Sequence, residues 1–223
     1  MNRFDYILFD LDGTLLDTSN GVLSAAVCTI QKYNREVPEP AVLESLIGPP
    51  IQSSFRRLYG LSEPEAMEMA DAFRKIYMTD EFLLRAIPYK GIYRLFQELL
   101  DIKANIGIAT YKREDYAKRL LLKKGFGQYT DFIYGSDYAG KLKKADIIGM
   151  CLRDMGCIDL SSAVYIGDGT SDGIGAGEAG ISFIGVTYGF GFKTVRDAEV
   201  FSPIAVANSC DELKRILLTQ KAF

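Results

Sequence analysis

The chain has 223 residues, 48% of them apolar and 25% charged, with a formal net charge of -3. This ordinary globular composition suits one large domain or a domain with a smaller companion, and it can bury a core without disulfides or a structural metal. The mild acidity excludes electrostatic recruitment by nucleic acid or an anionic membrane, and the absence of histidine excludes Ser-His-Asp and Cys-His catalysis, a phosphohistidine intermediate and the usual His-bound zinc sites.

Any general acid or base must then be a carboxylate, lysine, tyrosine or cysteine. A metal site built from carboxylates favours a hard cation such as magnesium. The start, Met1-Asn2-Arg3-Phe4-Asp5, lacks the apolar region of a signal peptide, and no apolar run approaches the ~20 residues of a membrane span. The chain reads as soluble and cytoplasmic. Cys28, Cys151, Cys157 and Cys210 form no CxxC pair, lie in segments that look helical, and read mostly as buried free thiols.

In chain order, Tyr6-Ile7-Leu8-Phe9 is a short apolar run suited to a buried parallel strand, ending at Asp10 and followed by the turn signal Gly13-Thr14. From about Thr18 to Arg85 the pattern is helical. Val22, Ala25, Ala26, Thr29, Ile30 and Tyr33 recur at helix spacing, with Thr18 or Ser19 as the cap. Pro38, Pro40 and Gly48-Pro49-Pro50 break the chain. Ser62-Glu63-Pro64-Glu65 starts a further helix with the apolar stripe Met67, Ala70, Phe73, Ile76 and Tyr77.

After Pro88, helices and apolar runs alternate. Strands are expected at 106–109, 132–134, 163–166, 181–186 and 204–206, and helices at 91–100, 113–123, 144–155 and 210–218. The expectation is an α/β fold: a doubly wound parallel sheet, residues 1–16 and 87–223, interrupted by a small α-helical domain at 17–86. Ligands in such sheets bind beyond the carboxyl ends of the strands, where Asp10, Thr110, Ser136 and Asp168 fall.

Asp10 and Asp12 are two apart, which puts both carboxylates on one side if the chain stays extended. Such a pair can divide labour, one attacking or binding metal while the other donates a proton. A solvated turn accounts better for a bare pair of this kind, and it is Gly13-Thr14 after an apolar strand that favours a site. Asp168 and Asp172 are four apart at a strand-to-helix junction, where they suit either a helix N-terminus or a shared cation. Thr110 suits a helix cap or a donor to a phosphoryl oxygen. Lys141, Lys143 and Lys144 are the candidates to balance charge, Lys144 standing at the start of the next helix.

Taken together these residues resemble the haloacid dehalogenase superfamily, in its phosphoglycolate-phosphatase-like branch with a helical cap. Phe9-Asp10-Leu11-Asp12-Gly13-Thr14-Leu15-Leu16-Asp17-Thr18 is similar to that family's first motif and Ile108-Ala109-Thr110-Tyr111-Lys112 to the second. Lys144 is similar to the third, and Gly167-Asp168 through Asp172 to the fourth. Ile184-Gly185-Val186-Thr187-Tyr188-Gly189-Phe190-Gly191 also resembles this branch.

The resemblance implies a magnesium-dependent phosphatase. Asp10 attacks phosphorus and forms an aspartyl-phosphate, and Asp12 protonates the leaving oxygen and then activates water. Thr110, Tyr111, Lys112 and Lys144 bind the phosphoryl group, with Thr110 and Lys144 also counted as catalytic. The metal set is Asp10, Asp12 (through its backbone carbonyl), Asp168 and Asp172, the last acting from farther out. The helical insertion is a cap, with Gly48-Pro49-Pro50 and Arg56-Arg57 either facing substrate or forming a solvated face.

Two departures stand out. The Lys-Pro pair common at the third motif is replaced by Lys141-Leu142 or Lys144-Ala145, so either lysine fits the register. Gly169, Gly173, Gly175 and Gly177 are expected to loosen the helix that carries Asp172.

The implied substrate is a small phosphate ester, phosphoglycolate- or nucleoside-monophosphate-like, acted on by a monomer or homodimer without nucleic acid or membrane partners. Asp12 speaks against a dehalogenase. A sugar-phosphate mutase would use the same acid pair, but Thr14 leans toward phosphatases. A phosphonate hydrolase would want a cap lysine, and the cap has only Lys32 and Lys75. A catalytically silent regulatory protein on this fold would be expected to lose an acid, and Asp10, Asp12 and Asp168 are all present.

Overall fold

A computed structural model describes residues 4–218, so Met1–Arg3 of the N-terminal segment read above and the last five residues lie outside it. The chain divides into two compact units, Met1–Leu16 with Pro88–Phe223, and Asp17–Ile87. Strand β1 (Tyr6–Phe9) opens the first unit. Strand β2 (Leu16–Asp17) leads into the second unit, which carries α1 (Ser19–Lys32), α2 (Pro40–Glu44), α3 (Ile51–Tyr59), α4 (Glu63–Tyr77) and α5 (Asp80–Leu83). Strand β3 (Ile87–Pro88) leads back and pairs with β2.

Within the helical unit, Thr18 is the N-cap residue of α1, and the Oδ1 of Asp17 before it accepts from Ser19 N at 3.0 Å and Ser19 Oγ at 2.6 Å. Its buried face is Gly21, Val22, Ala25, Ala26, Thr29 and Ile30. Cys28 falls off that face and is exposed, contrary to the buried-thiol expectation; Cys157 is only half-buried, whereas Cys151 and Cys210 are buried. On α4 the buried stripe centres on Ala66, Met69, Ala70, Phe73 and Tyr77, with Met67 and Ile76 at its margins. Phe73 stacks on Tyr77 and meets Phe55 of α3 edge-on.

The larger unit continues through α6 (Ile92–Asp101), β4 (Asn105–Arg113), α7 (Glu114–Lys123), β5 (Ile133–Ser136), α8 (Lys144–Asp154), β6 (Ala163–Gly167), α9 (Thr170–Ala179), β7 (Ser182–Val186), α10 (Val195–Glu199), β8 (Ala205–Ala207) and α11 (Cys210–Leu218). Its sheet runs β5-β4-β1-β6-β7-β8, every pair parallel. From β1 the order steps outward one way to β4 and β5, then returns past β1 to β6, β7 and β8. The order therefore reverses beside β1, where a doubly wound sheet opens a crevice at its carboxyl edge. Among the described residues no helix is long and apolar enough to cross a membrane.

Phe9 aligns with Ile108 on one side and Ile166 on the other, so the carboxyl-terminal parts of three central strands lie at one edge of the sheet. Adjacent residues of β1 face opposite ways. Leu8, Ala109, Tyr165 and Phe183 join Ile147, Ile148 and Cys151 of α8 and Ala176 of α9 in one buried cluster. Phe9 instead lies on Phe96 of α6, centroids 4.9 Å apart, and Phe96 meets Phe126 and Tyr129 edge-on.

Strand β4 differs from expectation: it runs past Thr110 to Arg113, with a register shift between Ala109 and Arg113 against β5. The α7 helix therefore starts at Glu114, and Thr110 is not its cap.

Phe96 is fully buried beneath the strand that carries Asp10. Phe96→Ala is expected to lower the unfolding free energy by about 3–5 kcal/mol, the usual cost of an aromatic cavity. Urea denaturation checks this, and a loss below about 1 kcal/mol would show that the cluster does not support β1.

Candidate active site

Asp10 follows β1 directly and is 6% exposed, its N–H donating to Ile166 O of β6 at 2.8 Å. The chain then turns at once. Leu11 O accepts from the N–H groups of Thr14, Leu15 and Leu16, and Gly13 N donates to Leu16 O. Gly13 has φ +82°, and a Cβ there would strike the Asp168 carboxylate, so the turn requires glycine on both counts. This turn removes the extended geometry that would have aimed Asp10 and Asp12 the same way. Asp10 Oδ1 accepts from Lys144 Nζ at 2.7 Å, whereas Asp12 Oδ1 lies 3.1 Å from the buried ammonium of Lys112.

Asp168 follows β6. Its Oδ2 accepts from the main-chain N–H groups of Phe190 and Gly191, at 2.6 and 3.0 Å, and its carbonyl accepts from Phe192 N. The segment after β7 thus clasps Asp168 with backbone donors. Asp172 lies in the first turn of α9, where its Oδ2 accepts from Gly169 N at 3.0 Å and its Oδ1 lies 2.9 Å from Lys144 Nζ.

The helix runs unbroken over Thr170–Ala179 with its glycines in place. Gly175 leaves room for a neighbour, since a Cβ there would collide with Lys144 Cγ and lie 2.8 Å from Lys144 Cβ. Between the two lysines that fitted the register, Lys144 is the one at the acids. Lys141 is exposed and contributes its backbone N–H to Asp137 Oδ1.

On β4, Thr110 is buried and its Oγ1 accepts from Lys112 N at 3.2 Å. Tyr111 accepts the backbone N–H of Lys144 on its hydroxyl at 2.9 Å. The structure thus gathers Asp10, Lys144, Asp168 and Asp172 closely, places Tyr111 against Lys144, and turns Asp12 and Lys112 toward each other.

Burial dominates the electrostatics. It raises Asp10 from an ordinary 3.8 to about 7; Lys144 opposes the shift, and Asp172 and Asp12 add to it. Burial likewise raises Asp168 to about 8, reinforced by Asp172 and Asp10 and opposed by the Gly191 and Phe190 amides. For Lys144, burial opposes the charge, but Asp10 and Asp172 outweigh it and lift the pKa above the usual lysine value.

One oxygen from each of Asp10, Asp168 and Asp172 lies within 4.8 Å of the others. Three ionised carboxylates against one ammonium leave two negative charges in excess. A hard divalent cation fits that donor set and that charge; the Asp12 carboxylate stands outside the group.

Residues 7–186 match the haloacid dehalogenase-like hydrolase family. The chain belongs to this family. It is 31% identical over 190 residues to a 5'-nucleotidase of Pseudomonas aeruginosa, covering 85% of each chain. It is 26% identical over 221 residues to a phosphoglycolate phosphatase of Neisseria meningitidis, covering 96% of this chain and 94% of the other. A crystal structure of a predicted phosphatase from Clostridium acetobutylicum superposes with a TM-score of 0.89 at 32% identity, covering 96% and 98% of the two chains. This dehalogenase-like hydrolase has the family's six-stranded parallel sheet with flanking helices.

By sequence alone Tyr165 has no role and Gly175 is only a weak point of its helix. The available signals are a tyrosine inside an otherwise apolar strand and a glycine five residues into a helix.

Two outcomes are expected. Because Asp10 and Asp168 have raised values in the folded chain, their stabilising contribution is full below about pH 4 and is lost as pH rises through 7 to 8. In EDTA the Tm should fall across that window and Asp168→Asn should flatten the fall; a rising wild-type Tm would contradict the charge excess. Gly175→Ala should lower catalytic turnover at least about tenfold, although alanine is the better helix former; full turnover would show that the Lys144 path tolerates a methyl group.

Proposed function

We propose that this hydrolase is a magnesium-dependent phosphatase that cleaves a small phosphate monoester through an aspartyl-phosphate on Asp10. The observation that carries this reading is the Asp10–Lys144–Asp172 ion-pair chain at the carboxyl edge of the sheet, with Asp168 completing the acid group. The named activities of the 5'-nucleotidase and phosphoglycolate phosphatase relatives support a substrate of phosphoglycolate or nucleoside-monophosphate size. The four free cysteines suit a reducing cytoplasm.

Asp10, Asp168 and Asp172 would hold the cation, which supplies charge neutralisation for the acids and for the phosphoryl oxygens. Asp10 uses a carboxylate oxygen to attack phosphorus; Lys144 favours the ionised form by direct contact, and a bound cation would complete that effect. Thr110 offers its hydroxyl to a phosphoryl oxygen. Lys112 orients Asp12 by direct contact. Asp12, protonated when the ester binds, gives its proton to the departing oxygen, is left as a carboxylate paired with Lys112, and takes a proton back from the water that hydrolyses the acyl phosphate.

Phosphate release from a panel of glycolate, nucleotide and hexose phosphates, with and without magnesium, tests the reading. Asp10→Asn is expected to abolish release, and equal release by both proteins would refute the nucleophile. An aryl phosphate needs no proton on its leaving group. With it, Asp12→Asn should accumulate a phosphoryl adduct on the Asp10 peptide and slow its hydrolysis at least about a hundredfold. An adduct elsewhere would reassign the attack, and isomerisation of a hexose phosphate without release would indicate a mutase.

A further inference from the structure

Two tyrosines surround Lys144, and neither is consumed in the reaction described above. Tyr165 stands within β6, fully buried. Its hydroxyl donates to Ala109 O at 2.5 Å, just before Thr110 on β4. A phenol carries one hydrogen, so with that bond made only lone pairs remain for Lys144 Nζ, which donates to it at 3.2 Å. Asp172 Oδ1 stands 3.5 Å from the same hydroxyl, a longer and weaker acceptor than Ala109 O. The three donors of the ammonium are thereby assigned to Asp10, Asp172 and Tyr165.

Tyr111 acts from β4. Its hydroxyl accepts Lys144 N, a first-turn N–H of α8 with no partner inside the helix. Its ring centroid lies 5.0 Å from Lys144 Nζ and that of Tyr165 lies 5.6 Å away, both within cation–π range. Gly175 leaves space for the methylene stem. A free lysine spreads over many rotamers, whereas this one is fixed at its backbone and its tip.

The ion pairs alone do not explain this construction. When Asp10 attacks phosphorus its charge passes into the acyl phosphate, and its hold on Lys144 weakens. The contacts to Tyr165 and Tyr111 are unchanged by that transfer. We propose that Tyr165 and Tyr111 are positioning residues that keep the Lys144 ammonium in place while charge moves from Asp10 to the phosphoryl group. Tyr165 also ties that ammonium to β4 at Ala109, next to Thr110, so the lysine and Thr110 keep a common frame. This inference rests on the proposed role of Lys144 as counter-charge.

The test uses the full chain with magnesium and the ester that the wild type turns over fastest, comparing Tyr165→Phe, Tyr111→Phe and Asp10→Asn. Tyr165→Phe should lower kcat about tenfold and Tyr111→Phe about threefold, with KM within twofold and unchanged circular dichroism. Inhibition by vanadate, which mimics the transferring group, should weaken in parallel with kcat, while inhibition by inorganic phosphate should not change.

Wild-type kcat and vanadate affinity in folded Tyr165→Phe would overturn the proposal. Equal weakening of vanadate and phosphate with a lowered Tm would also overturn it, by reducing the tyrosines to packing. Should Tyr165→Phe lose its fold, Tyr111→Phe carries the same test. Full activity in Asp10→Asn would sink the phosphatase reading itself, an outcome separate from any tyrosine result.

Discussion

The arrangement depends on one ammonium. Lys144 is 3% exposed and stands between Asp10 and Asp172, 2.7 and 2.9 Å from their oxygens. Removing one partner of a buried charge group leaves the rest uncompensated, at a cost of several kcal/mol. The neighbourhood is not neutral even with Lys144 present, because Asp168 adds a third carboxylate. Burial and mutual repulsion push Asp10 and Asp168 up to about 7 and 8. A site in that condition takes up protons or a cation, and a divalent ion would restore the ionised form of Asp10 that the proposed attack on phosphorus needs.

The fold exists locally to hold those charges close. Three adjacent parallel strands share one register; β1 and β6 end at Phe9 and Gly167 while β4 runs on, and this brings Asp10, Thr110 and Asp168 to one edge. The α8 and α9 helices pack against the same sheet face and bring Lys144 and Asp172 in from beside it. Backbone amides after β7 fix Asp168, and the tight turn after β1 fixes Asp10. Main-chain donors of this kind cost little to order, since the turns that present them are already folded.

Much of this was legible in the sequence because chain chemistry and strand periodicity coincide. The run Tyr6–Phe9 fits a buried strand, and an acid immediately after it falls at the sheet edge whatever the loops do. Direction was harder to read. Asp12 follows Asp10 by two residues, but the turn closed by Leu11 O sends it to Lys112, and no local pattern encodes that partner. The β4 strand continues past Thr110 because pairing with β5 resumes at Arg113, a tertiary effect that propensity does not carry. Tyr165 looked like core, and it is; its one polar atom acquires a role only when α8 delivers Lys144 from 21 residues earlier in the chain. Gly175 of α9 reads as a weakness because the Lys144 atoms it makes room for belong to another helix.

The claim that a buried charge excess defines this site is tested most directly by calorimetric titration of the metal-free protein with magnesium near pH 7, in buffers of different ionisation enthalpy. With Asp10 and Asp168 raised to about 7 and 8, magnesium binding is expected to release about one proton, and the release should vanish by about pH 9.5. Binding without proton release at pH 7, or no binding that depends on Asp168, would contradict the account.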